Sequence, residues 1–153
     1  MPAPVLFIVR GLPGAGKTTR ATQIANEIGC DMFAADDHFM VDGVYTFDGG
    51  KLPAAHAECQ ANARAALMRG ASCVVHNTFC EGWEATPYVR MAKEAGAEIE
   101  VVDLFDGGCY DVTLAERNVH SVPLASIKAM RARWQKDLLV AQFSEPRAPW
   151  ERG

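Results

Sequence analysis

The sequence predicts an α/β fold, a small parallel sheet with helices on both faces, and three observations carry that prediction. Strand-sized apolar runs alternate with helix-like segments along the chain, the order that crossover connections between parallel strands produce. The first apolar run, PVLFIV, passes directly into the glycine-rich turn GLPGAGKTT, Gly11 to Thr19, and then into a segment of helical character. The composition, 49% apolar and 22% charged over 153 residues, is that of one ordinary globular domain.

Each element follows in order. Val5 to Val9 is the first strand. The helix after it opens at Lys17 and stops near Gly29, a natural C′ position. Met32 to Ala35 forms a short second strand ending in Asp36-Asp37. Segment 53–69, PAAHAECQANARAALMR, begins with Pro, is rich in Ala and is closed by Gly70, so it reads as a helix. Cys73 to His76 is a third, buried strand, and Thr86 to Glu94 is a helix ending at Gly96. Glu98 to Leu104 alternates polar and apolar residues, as a strand with one wetter face near the sheet edge does. Asp111 to Asn118 and Pro123 to Leu139 are the last helices, the second with an apolar stripe at Leu124, Ile127, Met130, Trp134 and Leu138. An irregular tail, 144–153, then follows a single domain spanning 1–143.

The bulk properties narrow the function classes. No repeat or low-complexity tract is present, and no apolar run is long enough for a membrane span or a signal peptide core. The expected compartment is the cytoplasm, that of the host if the source is viral. Five cysteines, at 30, 59, 73, 80 and 109, are an odd number without a Cys-x-x-Cys pair, so they point to neither a disulfide framework nor a zinc site. The net charge of −4 argues against nonspecific coating of nucleic acid, although Arg117 to Lys136 holds five basic residues and no acidic one.

Gly11-x-x-x-x-Gly16-Lys17-Thr18 fits the P-loop pattern at every defined position. Its glycines let backbone N–H groups point into an anion-sized hollow, and the helix N-terminus adds its dipole. Gly11, Pro13, Gly14, Ala15, Gly16, Lys17, Thr18 and Thr19 are therefore the candidate nucleotide-binding set. Lys17 would reach the β- and γ-phosphates and the Thr18 hydroxyl would ligate Mg²⁺, which makes ATP and Mg²⁺ the expected cofactors.

The reaction needs other residues. The guanine-reading Asn-Lys-x-Asp of GTPases is absent. The strand Cys73 to His76 ends without the carboxylate that motor-type ATPases place there, although Val101-Val102-Asp103 offers one nearer the edge. Transfer to an acceptor hydroxyl requires a carboxylate to take its proton and positive charge for the moving phosphoryl group. Asp36 and Asp37 follow the second strand and would face the P-loop at the carboxyl ends of the strands. As an alternative, the Asp pair caps a helix that follows it. The four histidines lack metal spacing and are read as structural or acceptor contacts. Trp83, Tyr88 and Trp134 could stack bases, with Trp134 more in keeping with the core stripe.

Five segments together carry a resemblance: the P-loop; Asp36-Asp-His-Phe39 followed by Gly43-Val-Tyr45; His76-Asn-Thr-Phe79; Trp83-Glu84 with Pro87-Tyr88; and Arg117-Asn-Val-His-Ser-Val-Pro123. From about residue 5 to 136 the chain resembles small P-loop kinases, a family that includes bacteriophage polynucleotide 5′-hydroxyl kinases and a eukaryotic polynucleotide kinase domain, with zeta toxins as distant kin. The resemblance implies Asp36 as general base and Arg117 as a lid arginine on the transferring phosphate. It also implies Asn118 near the adenine, and Asn77-Thr78 at the border of the acceptor pocket, with Asp37 and His38 beside it. Arg131 and Arg133, after the lid, are expected to rim a channel for acceptor phosphates. Two features depart from the phage enzymes: Phe39 stands where they carry an acceptor-binding Arg, and the lid is reduced to Val119-His120-Ser121.

The expected function is ATP-dependent phosphorylation of a hydroxyl on DNA or RNA, with the polynucleotide 5′-hydroxyl first. The alternatives are a phage-type DNA kinase acting on the hydroxymethyl group of a modified base such as 5-hydroxymethyluracil, a small-molecule kinase, and an ATP-binding regulatory module without turnover.

Overall fold

Along the first strand, successive side chains leave on opposite faces, and this one segment fixes the layers of the molecule. A computed structural model describes residues 2–141; the expected tail 144–153 lies outside them. The order is β1 (Val5–Arg10), α1 (Lys17–Ile28), β2 (Asp31–Phe33), a 3-10 turn (Ala35–Phe39), β3 (Met40–Val41), β4 (Val44–Tyr45), a 3-10 turn (Gly49–Lys51) and α2 (Leu52–Met68). Then come β5 (Cys73–Asn77), a 3-10 turn (Gly82–Glu84), α3 (Thr86–Ala95), β6 (Glu98–Asp103), α4 (Asp111–Arg117), α5 (Leu124–Ala132) and α6 (Leu138–Ala141). Leu6 and Ile8 join α2 and α3 on one face, whereas Phe7 and Val9 join Ala21, Ile24 and Ala25 of α1 on the other.

The main sheet has four parallel strands in the order β2-β5-β1-β6. This is the predicted architecture, with β6 at the edge as its alternating pattern implied. In register, Arg10 sits between Asn77 and Asp103, so the central strands end level. The loops that leave those ends converge on one rim, where open parallel sheets bind their ligands.

Two expectations are corrected, and one hairpin was not anticipated. The second strand stops at Phe33, and Ala35–Phe39 is a 3-10 turn that carries Asp36 and Asp37. The segment after it is an antiparallel hairpin, β3 with β4, turning at Asp42 (φ 50) and Gly43 (φ 80); Asp-Gly is a strong two-residue hairpin signal that was readable in the sequence. The expected helix Pro123–Leu139 is broken between Ala132 and Leu138.

Arg10 explains that break. It closes the apolar strand β1 and is fully buried. Its guanidinium donates to the carbonyls of Phe79 at 2.7 Å, Gln135 at 2.8 Å and Lys136 at 3.2 Å, and pairs with Asp103 at 3.2 Å. Trp134 lies beneath it at 3.9 Å. The carbonyls of Gln135 and Lys136 thus satisfy a buried cation, which a charge out of water requires. Trp134 is partly buried and packs against the core, in keeping with the stripe, but it follows the helix rather than continuing it.

Candidate active site

Gly14 (φ 85) and Gly16 (φ 100) adopt backbone angles that favour glycine. A Cβ on Gly14 would stand 2.6 Å from the Leu114 carbonyl, so the P-loop is pressed against α4. Around Gly16 a Cβ would meet nothing within 4 Å, which leaves a hollow in front of α1. That helix has no side-chain cap on its first N–H groups and no acidic residue in its first turn. Amides without an internal acceptor, a helix dipole and an open hollow suit a polyphosphate. Lys17 stands at the same place and donates to the Leu12 carbonyl at 3.1 Å. Burial lowers its pKa to about 8, a shift that the charge of Asp36 opposes. The exposed Thr18 sits next to it for the metal. Among the described residues no cluster of His, Cys, Asp or Glu forms a metal site of its own. Thr18, which follows Lys17 at the start of α1, is the residue that could hold a Mg²⁺ carried by a nucleotide.

Asp36 stands on the turn after β2. Tyr45, on β4, donates to its Oδ1 at 3.1 Å, and the Nε2 of His120 lies 3.5 Å from its Oδ2. Burial first, and then Asp36, push the Tyr45 hydroxyl up to about 12, so it stays protonated as a donor. His76 from β5 and His56 from α2 also feel the charge of Asp36, and burial lowers the pKa of both. The Asp36 carboxylate thus has the Tyr45 hydroxyl on one oxygen and the His120 ring near the other.

The other expected residues take more local roles. Asp37 caps the 3-10 turn it belongs to, its Oδ2 accepting the Ala34 N–H at 3.0 Å, rather than a following helix, since a hairpin comes next. His38 turns to Glu58 on α2 at 2.8 Å. The Asn77 Oδ1 accepts the Ala35 N–H at 2.8 Å, and so fixes the turn that holds Asp36. Next to it, the Thr78 carbonyl accepts the Gly11 N–H at 3.3 Å, tying this segment to the P-loop. Arg117 ends α4, one turn beyond the Leu114 contact with the P-loop, and donates to the Cys109 sulfur at 3.1 Å. The Asn118 amide is spent within its own loop: it donates to the Leu114, Ala115 and Val122 carbonyls and accepts the Val122 N–H at 2.8 Å.

Arg131 and Arg133 do not form a shared rim. Arg131 pairs with Asp106 and Asp111, each at 2.8 Å, so its charge is committed beside α4. Arg133 is exposed at the end of α5, and its charge favours the ionised form of the half-buried Glu84. Basic residues within twenty positions of one another looked like one face only while a single long helix was expected. Tyr88, one of the aromatics that could have stacked bases, is buried and donates to Cys59 at 3.2 Å.

Sequence reasoning overlooked two site residues. Tyr45 was legible only within a resembling segment, and His120 only as a histidine near the lid; both acquire meaning from the hairpin and the short loop that aim them at Asp36.

The AAA_33 family, described as an AAA domain, matches residues 6–136. Human NEDD4-binding protein 2 is 32% identical over 136 residues, covering 86% of this chain and 8% of that protein, so the chain spans a small part of this relative. Among solved structures, one from the Pnkp1/Rnl/Hen1 RNA repair complex superposes with a TM-score of 0.70 at 19% identity, covering 97% of this chain and 50% of that one. A gluconokinase from Sinorhizobium meliloti 1021 gives 0.56 at 17% identity, covering 89% and 78%. Among the described residues no helix is long and apolar enough to cross a membrane. The parallel sheet, the P-loop at its rim and the family match agree: the chain belongs to the AAA_33 family and has a P-loop kinase-like fold.

Proposed function

We propose that the protein is an ATP-dependent phosphotransferase that moves the γ-phosphate to a hydroxyl carried by a nucleic acid, first of all a 5′-hydroxyl of DNA or RNA. One observation carries the phosphotransferase reading: the turn that holds the Asp36 carboxylate is tied through Asn77 and Thr78 to the P-loop that holds Lys17, so acid and lysine stand at one rim of the sheet. The P-loop amides and Lys17 hold the phosphates, and Thr18 holds Mg²⁺. When bound, Mg²⁺ neutralises phosphate charge and orients the γ-phosphoryl group. Asp36 takes the proton of the attacking hydroxyl while its oxygen bonds to phosphorus and ADP leaves. Arg117, released from Cys109, offsets the charge that develops during transfer. Asn118 serves by shaping the lid loop. The nucleic-acid acceptor is supported by the five resembling segments and by the likeness to a chain of an RNA repair complex.

A second reading has its own observation. Segment 30–63, which builds the acceptor side, holds Asp31, Asp36, Asp37, Asp42, Asp48 and Glu58 against Lys51 as its one Lys or Arg. Phe39 is packed into the core there, 2% exposed. A phosphate-rich strand end finds little positive charge on this side. The hydroxymethyl group of a modified base, itself uncharged, suits it better.

Transfer of labelled γ-phosphate from ATP tests both. Label on 5′-hydroxyl oligonucleotides establishes the first reading, and label only on 5′-blocked DNA containing 5-hydroxymethyluracil establishes the second. Label only on a nucleoside or polyol panel makes it a small-molecule kinase. ATP binding without any label removes the phosphotransferase reading.

A further inference from the structure

Asp36 is approached from two sides. Tyr45 occupies Oδ1, and His120 approaches Oδ2 from the loop that follows α4. The two rings lie against each other, centroids 4.3 Å apart and tilted by 40°. One contact therefore joins the hairpin, the candidate base and the lid.

The loop that delivers His120 is tightly determined. The Asn118 side chain bonds the N–H and the carbonyl of Val122, closing the loop on itself. Within it Ser121 is held at φ 56, a left-handed angle that a residue with a Cβ resists. Val119 at the tip is 82% exposed, yet the neighbouring His120 turns inward. Its Nδ1 is buried without a hydrogen-bond partner, which leaves the Nε2 edge toward Asp36 as its polar contact. A contact with a carboxylate that is 47% exposed returns little stability. A strained backbone and an orphaned ring nitrogen are therefore kept for a contact that does little for folding, and such departures gather at functional sites.

We infer that His120 is a positioning residue for the transfer: it holds Oδ2 of Asp36 opposite Tyr45, and so makes the aim of the base depend on the lid loop being in place. Arg117 ends the helix from which that loop starts. The loop that fixes the carboxylate is thus joined to the residue that supplies positive charge, and the two are set together. The inference rests on Asp36 acting as the base.

Two substitutions separate positioning from packing. His120→Gln keeps an N–H near the Nε2 position and loses the ring; His120→Phe keeps the ring on Tyr45 and loses the donor. Using the acceptor that the wild-type protein phosphorylates, His120→Phe is expected to lower kcat by about tenfold or more with the KM for ATP nearly unchanged, and His120→Gln by no more than about threefold. The opposite ranking, or a His120→Phe enzyme as fast as wild type, overturns the inference. A second arm needs no turnover: hydrogen exchange of 118–122 should quicken in Asp36→Ala, and an unchanged rate means that the contact does not hold the lid. If the wild-type protein labels no acceptor, the proposed function fails, and this exchange arm alone decides whether His120 grips Asp36.

Discussion

The side-chain oxygen of Asn77, at the end of β5, accepts the N–H of Ala35 at 2.8 Å, and so couples the strand beside the P-loop strand to the turn that holds Asp36. Asn77→Ala leaves a buried N–H unpaired. The expected loss is about 1–3 kcal/mol of stability and about tenfold in kcat, because the base is no longer held at its angle. Urea unfolding together with steady-state kinetics checks both; a variant that loses stability but keeps wild-type kcat would show that Asn77 only supports the fold.

Lys17 gives nucleotide binding a pH dependence. Its pKa falls from 10.5 to about 8, chiefly by burial. Polyphosphate favours the protonated form, so above about 8 binding has to take up a proton. The affinity for ATP should then weaken as pH rises through about 8, by at most about tenfold per unit. The folded protein without nucleotide behaves oppositely: between about 8 and 10.5 the unfolded chain holds the proton that the folded one has lost, so stability from this group rises with pH. ATP titrations from about pH 7 to about pH 9.5 measure the first effect, and Lys17→Gln should abolish the slope.

Gly14→Ala tests how closely the P-loop meets α4. The new Cβ would lie 2.6 Å from the Leu114 carbonyl at a φ of 85°. We expect a loss of about 2 kcal/mol or more, from backbone strain and from displacement of α4. ATP affinity should fall with it. Wild-type stability with normal ATP binding would mean that α4 does not rest on the loop.

Glu84 predicts a pH-dependent loss of stability. Burial lifts its carboxyl from 4.5 to about 7, against the bond from the Glu81 N–H, which favours the ionised form. The stabilising contribution is complete below 4.5 and fades as pH rises through about 7, because the unfolded chain ionises first. Glu84→Gln keeps an oxygen for the Glu81 N–H and removes the titration. Its Tm relative to wild type should climb from about pH 5 to about pH 8, and a constant difference would contradict the assignment.

Much of this was readable because it is local. Lys17–Ile28 follows from a glycine-rich turn, helical residues and the stop at Gly29; the edge position of Glu98–Asp103 follows from its alternation. Asp36 was legible because strand ends in such sheets face the ligand. Long-range partners were not. Nothing near Gln135 signals that its carbonyl belongs to Arg10, a residue 125 positions away, and so the break before Leu138 was invisible. The same holds for Arg131, whose partners Asp106 and Asp111 are set by the packing of α5 beside α4. Tyr45 and His120 meet at Asp36 only after the hairpin and the lid loop have folded.

Asp36→Asn addresses the central claim most directly, in single-turnover transfer of labelled γ-phosphate by wild type and variant with ATP binding measured on the same samples. The substitution keeps an oxygen for Tyr45 and removes the proton acceptor. The account predicts a fall in the transfer rate of about 10²–10⁴ with ATP affinity intact. Transfer at the wild-type rate would contradict it and remove Asp36 as the base.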